Sequence, residues 1–294
     1  MQKIKEENGN VVIYDAKDFN VQQIFECGQC FHFDKIGEMD YVTVAYGKAL
    51  RISQKNSIVT LHNTNISEYN EIWKKYLDMD TDYGQIKRWL LEKDDRLKES
   101  ISEKYGIRIL RQEFHEMLMS FIISQNKQIP HIKQIVAAIS EKYGSFAGEI
   151  KGKKYYNFPT TRQINEISED DYRILKTGFR APYLKSASDH MEKGLCAESF
   201  ANMSYEDAKA RLLEIKGVGD KVANCVLLFG LGYRNAFPVD VWVKRIMEQV
   251  YFHKDTPKET IMKFALENFG EYGGYAQQYL FYYARDLREN SKKK

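Results

Sequence analysis

The chain has 294 residues, of which 43% are hydrophobic and 29% charged, with a formal net charge of +3 at pH 7. That composition supports one large core or two ordinary ones, and it excludes a disordered or low-complexity polypeptide. The longest apolar run, Val222 to Leu231, contains Asn224 and is too short to span a bilayer. No apolar stretch follows the lysines of "MQKIKEENGN", so the reading is a soluble, intracellular protein.

The small positive charge permits a nucleic-acid partner without requiring one. Lys292 to Lys294 read as a solvated end. Four cysteines make no disulfide framework, and Cys27 and Cys30 form a lone C-x-x-C without a second pair at metal spacing. They read as two reduced cysteines at a turn.

In chain order, the stretch to about residue 65 alternates with period two. Strands are expected at "VVIYDA" (11–16), "FHFDKIG" (31–37), "YVTVAYG" (41–47), "ALRIS" (49–53) and "SIVTLH" (57–62), forming an antiparallel meander. "DFNVQQIFECGQ" (18–29) interrupts them as a short helix, with Asp18 as its N-cap and Gly28 as its stop.

From about residue 68 the period is 3.6. Ile129, Ile132, Ile135, Val136 and Ile139 share one helical face; Ser204 and Asp207 stand at capping-box spacing; Pro257 starts a helix that Gly270 stops. Roughly ten helices and no further strand are expected. The class is α+β: an N-terminal antiparallel sheet domain (1–67), then a helical region (68–294) of two packed lobes.

"EIKGVGDKVANC" (214–225) reads as helix, glycine hairpin, helix. The hairpin is either an ordinary tight turn or a phosphate seat, because glycine allows close backbone approach and a helix start offers unpaired N–H groups. Lys221 is awkward there, since the helix dipole disfavours a cation. It is either a surface lysine or an amine poised to act as a nucleophile. From Lys221 the helix to Leu231 rises roughly 15 Å at about 1.5 Å per residue. Residues 232–240 span up to about 30 Å if extended. Asp240 can therefore return beside Lys221, as an N-cap that also serves charge stabilisation.

The helix, G-V-G hairpin, helix and "FPVDVW" together resemble the helix-hairpin-helix DNA glycosylase superfamily, without the C-terminal four-cysteine cluster of its iron–sulfur branch. "CGQCFHF" (27–33), "GIRILRQEFHEMLMSFIISQNKQI" (106–129), "TGFRAPYL" (177–184) and "GGYAQQYLF" (273–281) narrow the likeness to the eukaryotic-type 8-oxoguanine DNA glycosylases, over roughly residues 18 to 288.

The resemblance implies a bifunctional glycosylase/AP lyase of base-excision repair that flips 8-oxoguanine out of duplex DNA, works as a monomer and needs no metal or cofactor. Lys221 matches the lysine that attacks C1′ and forms a Schiff base, and Asp240 the aspartate that stabilises the oxocarbenium-like transition state. Cys225 and Phe281 match the residues that sandwich the flipped base, and Gln277 the one that reads its Watson–Crick edge. The carbonyl of Gly28 would accept the hydrogen that 8-oxoguanine carries at N7 and guanine lacks. Gly217 and Gly219 would hold a phosphate, Asn126 would fill the vacated space, and Arg180 would grip the estranged cytosine.

Two departures stand out. His131 occupies the place of a second arginine and Phe179 that of a tyrosine wedge, so a weaker preference for cytosine opposite the lesion is expected. Trp242 and Ala284 replace a histidine–aspartate pair, and apolar packing is expected between them. A glycosylase for a formamidopyrimidine or alkylated base, and a non-catalytic DNA-binding module, remain as alternatives.

Overall fold

The computed structural model describes residues 3–291, so the Lys292 to Lys294 tail lies outside the described residues. Strands β1 (Lys3–Glu7), β2 (Asn10–Tyr14), β3 (Phe33–Gly37), β4 (Asp40–Ala45), β5 (Lys48–Lys55) and β6 (Ile58–His62) form an antiparallel sheet ordered β1-β2-β6-β5-β4-β3. β3 to β6 form the expected meander, but β2 pairs with β6, placing Ile13 opposite Val59.

Helix α1 (Val21–Glu26) fills the link between β2 and β3. Its Val21, Ile24 and Phe25 pack with Val11, Ile13, Tyr41, Ile52 and Leu61 in one core, as the period-two alternation requires. Strand β1 escapes the pattern because "KIKEE" buries neither face fully; charged residues on an edge strand discourage pairing with other chains. The cap of α1 is Asn20, whose Oδ1 accepts from Gln23 N at 3.0 Å, and not Asp18. Asp18 sits at φ 53° and takes Lys87 Nζ at 2.5 Å instead.

The expectation of no strand after residue 68 fails at β7 (Phe146–Ile150) and β8 (Lys153–Tyr156), a hairpin turning through Lys151 and Gly152, both at positive φ. "KG" between alternating residues is a hairpin signal that the surrounding helical periodicity obscures. The hairpin covers the far face of the main sheet: Tyr155 packs on Val42 and Val44, while Lys151 and Lys153 pair with Asp40 and Asp34 at 3.2 and 2.5 Å.

The remaining helices of six residues or more begin with α2 (Tyr83–Lys93), α3 (Lys98–Glu103), α4 (Phe114–Ile123), α5 (Ile129–Tyr143) and α6 (Glu169–Ile174). They continue with α7 (Ala181–Glu192), α8 (Tyr205–Leu213), α9 (Asp220–Phe229), α10 (Val241–Met247), α11 (Lys258–Phe269) and α12 (Gly273–Ser291). One apolar core joins them, running from Phe114 and Ile122 through Val226 and Phe237 to Tyr279. Asn224, fully buried in α9, is satisfied by Asp220 O and Tyr205 Oη at 2.8 and 2.7 Å.

Cys27 and Cys30 are free and buried, and they point into different cores. Among the described residues no helix is long and apolar enough to cross a membrane.

Candidate active site

The chain leaves α8 and turns through Gly217, at φ +84°, into α9. A Cβ there would run into the ring of Tyr183, so both the backbone angle and the packing require glycine. Gly219 is different. Its φ is −106°, and a Cβ would meet no protein atom, so this exposed glycine leaves the start of α9 uncovered. Unpaired N–H groups at an uncovered helix start favour an anion.

Lys221 is the second residue of α9. Its Nζ donates to Ser124 Oγ at 3.1 Å and lies 5.0 Å from the centroid of the Phe121 ring. An acceptor and a π-face thus hold the cation that the helix start disfavours.

Asp240 returns as the N-cap of α10, its Oδ1 accepting from the backbone N–H of Trp242 and Val243, both at 2.9 Å. Capping through Oδ1 leaves Oδ2 for other partners. Burial pushes this carboxyl above its ordinary range, opposed by the N–H groups of Val243 and Trp242 and by the charge of Lys221.

Lys221 and Asp240 open onto one small cavity of about 50 Å³, lined also by Gly28, Phe121, Cys225, Phe229, Pro238, Gln277, Gln278 and Phe281. All six residues expected at the catalytic and base-binding positions line it. Cys225 sits one helical turn after Lys221, and burial pushes its thiol up to about 11, so it is an uncharged wall at neutral pH. Gln277 Nε2 donates to Pro238 O at 3.2 Å, tying α12 to the segment that carries Asp240, and its Oε1 accepts from Gln278 at 3.0 Å. Four larger cavities, of about 640, 680, 300 and 380 Å³, are lined by neither Lys221 nor Asp240.

Gly28, at φ +81°, faces Phe281: a Cβ would lie 3.1 Å from Cε1 of that ring. Its neighbour Gln29 fixes the turn. The buried Gln29 amide donates to Ile24 O and Arg108 O at 2.9 and 2.7 Å and accepts from Leu110 N at 2.9 Å. Gln112 donates to its carbonyl at 2.8 Å.

The residues expected on the opposite-strand side do not form such a cluster. Asn126, at φ 48°, is exposed between α4 and α5, and His131 is exposed in the first turn of α5. Arg180 is only 4% exposed. It donates to Thr177 O at 3.1 Å and to Gln125 O, and it stacks 4.2 Å from the ring of Phe179, itself 52% exposed. Burial pulls the guanidinium below its ordinary range, and its Nε has no partner among the described residues. Arg180 and Asn126 thus meet through Gln125, while His131 shares no hydrogen bond with them.

Trp242 and Ala284 do line a common hollow, but the packing is not purely apolar. The guanidiniums of Arg245 and Arg288 lie 5.6 and 5.1 Å from the indole.

The segment 119–271 matches the HhH-GPD superfamily of base excision DNA repair proteins, and 11–118 matches the N-terminal domain of 8-oxoguanine DNA glycosylase. The chain belongs to the HhH-GPD superfamily. Among its relatives is an Arabidopsis thaliana N-glycosylase/DNA lyase, 28% identical over 87% of this chain and 75% of that protein. A solved Clostridium acetobutylicum 8-oxoguanine glycosylase/lyase, bound to duplex DNA with cytosine opposite 8-oxoguanine, is 40% identical. It superposes with a TM-score of 0.93 over 97% of this chain and 98% of that one. An Archaeoglobus fulgidus 3-methyladenine DNA-glycosylase shares the fold at 22% identity and a TM-score of 0.75, over 94% and 99% of the two chains. The fold alone therefore does not choose the base.

Sequence reasoning passes over Phe121, Ser124, Gln125, Tyr183, Phe229 and Gln278. The "SQN" beside Asn126 and the second glutamine of "AQQYLF" were available signals. Tyr183 against Gly217 had none, since 34 residues of chain separate them.

Proposed function

We propose that this chain is a bifunctional 8-oxoguanine DNA glycosylase/AP lyase of base-excision repair, acting on duplex DNA inside the cell as a monomer. One observation carries the reading: Lys221, Asp240, Cys225, Gln277, Phe281 and Gly28 line one cavity.

The chemistry follows from the placement. The flipped nucleotide enters between Cys225 and Phe281 with its Watson–Crick edge toward Gln277. At about 50 Å³ the resting cavity is too small for a purine, holding a few waters at roughly 10–15 Å³ each, so Phe281 must lift from Gly28. The Gly28 carbonyl accepts the N7 hydrogen of 8-oxoguanine and opposes the N7 lone pair of guanine, leaving the wrong base with an unpaired buried acceptor.

The Lys221 amine, neutral when it reacts, attacks C1′. The C1′–N9 electron pair leaves with the base, and Asp240 Oδ2 stabilises the positive charge developing on the sugar. Loss of a proton from nitrogen and opening of the ring give the Schiff base. Abstraction of a C2′ proton then expels the 3′ phosphate by β-elimination. The uncovered start of α9 seats a backbone phosphate beside the lesion.

Borohydride present during incubation with an 8-oxoguanine duplex tests the reading. A covalent adduct is expected from the native protein and none from Lys221→Gln. An adduct on a plain abasic duplex without release of 8-oxoguanine would assign the chain to another lesion. No adduct on either duplex would reject the lyase.

A further inference from the structure

Lys221 lies on a mobile four-carbon stem, and attack at C1′ needs its nitrogen held in one place with its lone pair toward the sugar. The residue that holds it belongs to a different helix. Ser124 closes α4, and its hydroxyl donates to Phe121 O at 2.8 Å. A hydroxyl has one proton. With that proton committed to the carbonyl, Ser124 presents only lone pairs to Lys221 Nζ at 3.1 Å, and the amine must be the donor. An N–H pinned toward Ser124 leaves the nitrogen lone pair pointing away from it. Lys221 lines the cavity and Ser124 does not, so this tether leaves the lone pair of the neutral amine free to face the cavity.

The next residue braces this arrangement. Gln125 Nε2 donates to Ile122 O at 3.2 Å and to Gly217 O at 3.1 Å. The two consecutive residues therefore grip the hairpin at Gly217 and the lysine at position 221. The Gln125 carbonyl also receives Arg180, which joins the same two residues to the opposite-strand side.

We propose that Ser124 is a positioning residue for the Lys221 amine, with Gln125 bracing it against the glycine hairpin. The inference rests on Lys221 being the nucleophile. Neither residue lines the cavity, so each acts through the lysine and not on the base.

The decisive pair is Ser124→Thr and Ser124→Val in the full-length protein, two side chains of nearly the same shape that differ in the hydroxyl. Single-turnover strand cleavage is measured on an 8-oxoguanine duplex and on an abasic duplex, together with affinity for a duplex bearing a tetrahydrofuran abasic analogue. Threonine should keep the cleavage rate within about threefold of native, and valine should lose about tenfold or more on both substrates, with the two affinities within about twofold of each other. Gln125→Leu should lose less than Ser124→Val while keeping affinity. Equal rates for the threonine and valine variants would overturn the proposal. So would a valine loss matched by an equal loss of affinity, because that is a folding or binding defect. A native protein that cleaves abasic sites but leaves 8-oxoguanine would reject the lesion assignment and leave the Ser124 test standing. No borohydride adduct on either duplex would overturn both.

Discussion

The cavity around Lys221 and the surface carrying Asn126, His131, Phe179 and Arg180 both gather residues from distant parts of the chain, yet they stand in opposite states of readiness. In the cavity most polar side chains already have a defined partner: Asp240 caps α10 through Oδ1, Gln277 holds Pro238, and Ser124 takes Lys221, while Gln278 Oε1 has none among the described residues. On the opposite-strand side Asn126 and His131 are exposed, and Arg180 is spent on two backbone carbonyls. On the proposed reading, the groups that act on the sugar are largely placed in the free protein, with Phe281 still to lift, whereas reading of the opposite base is assembled on DNA. A buried guanidinium without a carboxylate is costly to keep, and the carbonyls of Thr177 and Gln125 only partly offset that cost.

The largest break in this comparison should come from Asp240→Asn. Asparagine still caps the helix, so the fold should survive while single-turnover excision falls about 10²- to 10³-fold. In the native protein the raised Asp240 carboxyl should place the acidic limb of excision above the ordinary aspartate value of about 3.9. The variant should lack that limb. Its stability should shift in the opposite sense. A carboxyl whose folded pKa is raised favours the fold only while protonated, and it destabilises as pH rises through that value. The asparagine variant should therefore melt higher than native near pH 7, and the gap should close as pH falls below the ordinary aspartate range. A variant melting below native at pH 7 would contradict the burial account.

Gly28→Ala should come next. Positive φ and the 3.1 Å approach to Phe281 disfavour a Cβ, so the variant should lose about 1 kcal/mol of stability. Its preference for 8-oxoguanine over guanine, measured as a ratio of excision rates, should also narrow. An unchanged ratio would detach Gly28 from lesion reading.

Smaller effects belong to the opposite-strand side. With His131 in place of a guanidinium fork, native excision should differ only modestly among duplexes with cytosine, adenine, guanine or thymine opposite the lesion. A strong cytosine-only preference would break the expectation. Arg180→Ala should flatten what preference exists. His131→Ala, at an exposed position that shares no hydrogen bond with Arg180, should change the four rates by less than about twofold.

Legibility in the sequence followed the range of the contacts. Cys225 four residues after Lys221, Phe281 four after Gln277, and an aspartate able to return after one helix are local regularities that agree with the cavity walls the family resemblance implied. What escaped depends on distant partners. Strand β1 is charged and owes its place to β2; β7 and β8 are held by a sheet more than a hundred residues earlier; Asn20 caps α1 because Asp18 is taken by Lys87. Ser124 and Gln125 belong to the same class, as nothing near them in sequence announces a lysine on α9. The hairpin glycines divided: Gly217 is required by Tyr183, whereas Gly219 is required by nothing in the protein itself.

Gln29 has a consequence for fidelity. Its amide and carbonyl are bound by Ile24, Arg108, Leu110 and Gln112, so the Gly28 carbonyl is held in place by a segment about eighty residues further along the chain. If Gly28 reads the lesion as proposed, the ruler that tells a damaged purine from a sound one is mounted on the seam between sheet and helices. Wear at that seam, from a substitution near Arg108 or from heat, would register as misjudged bases before it registered as an unfolded protein.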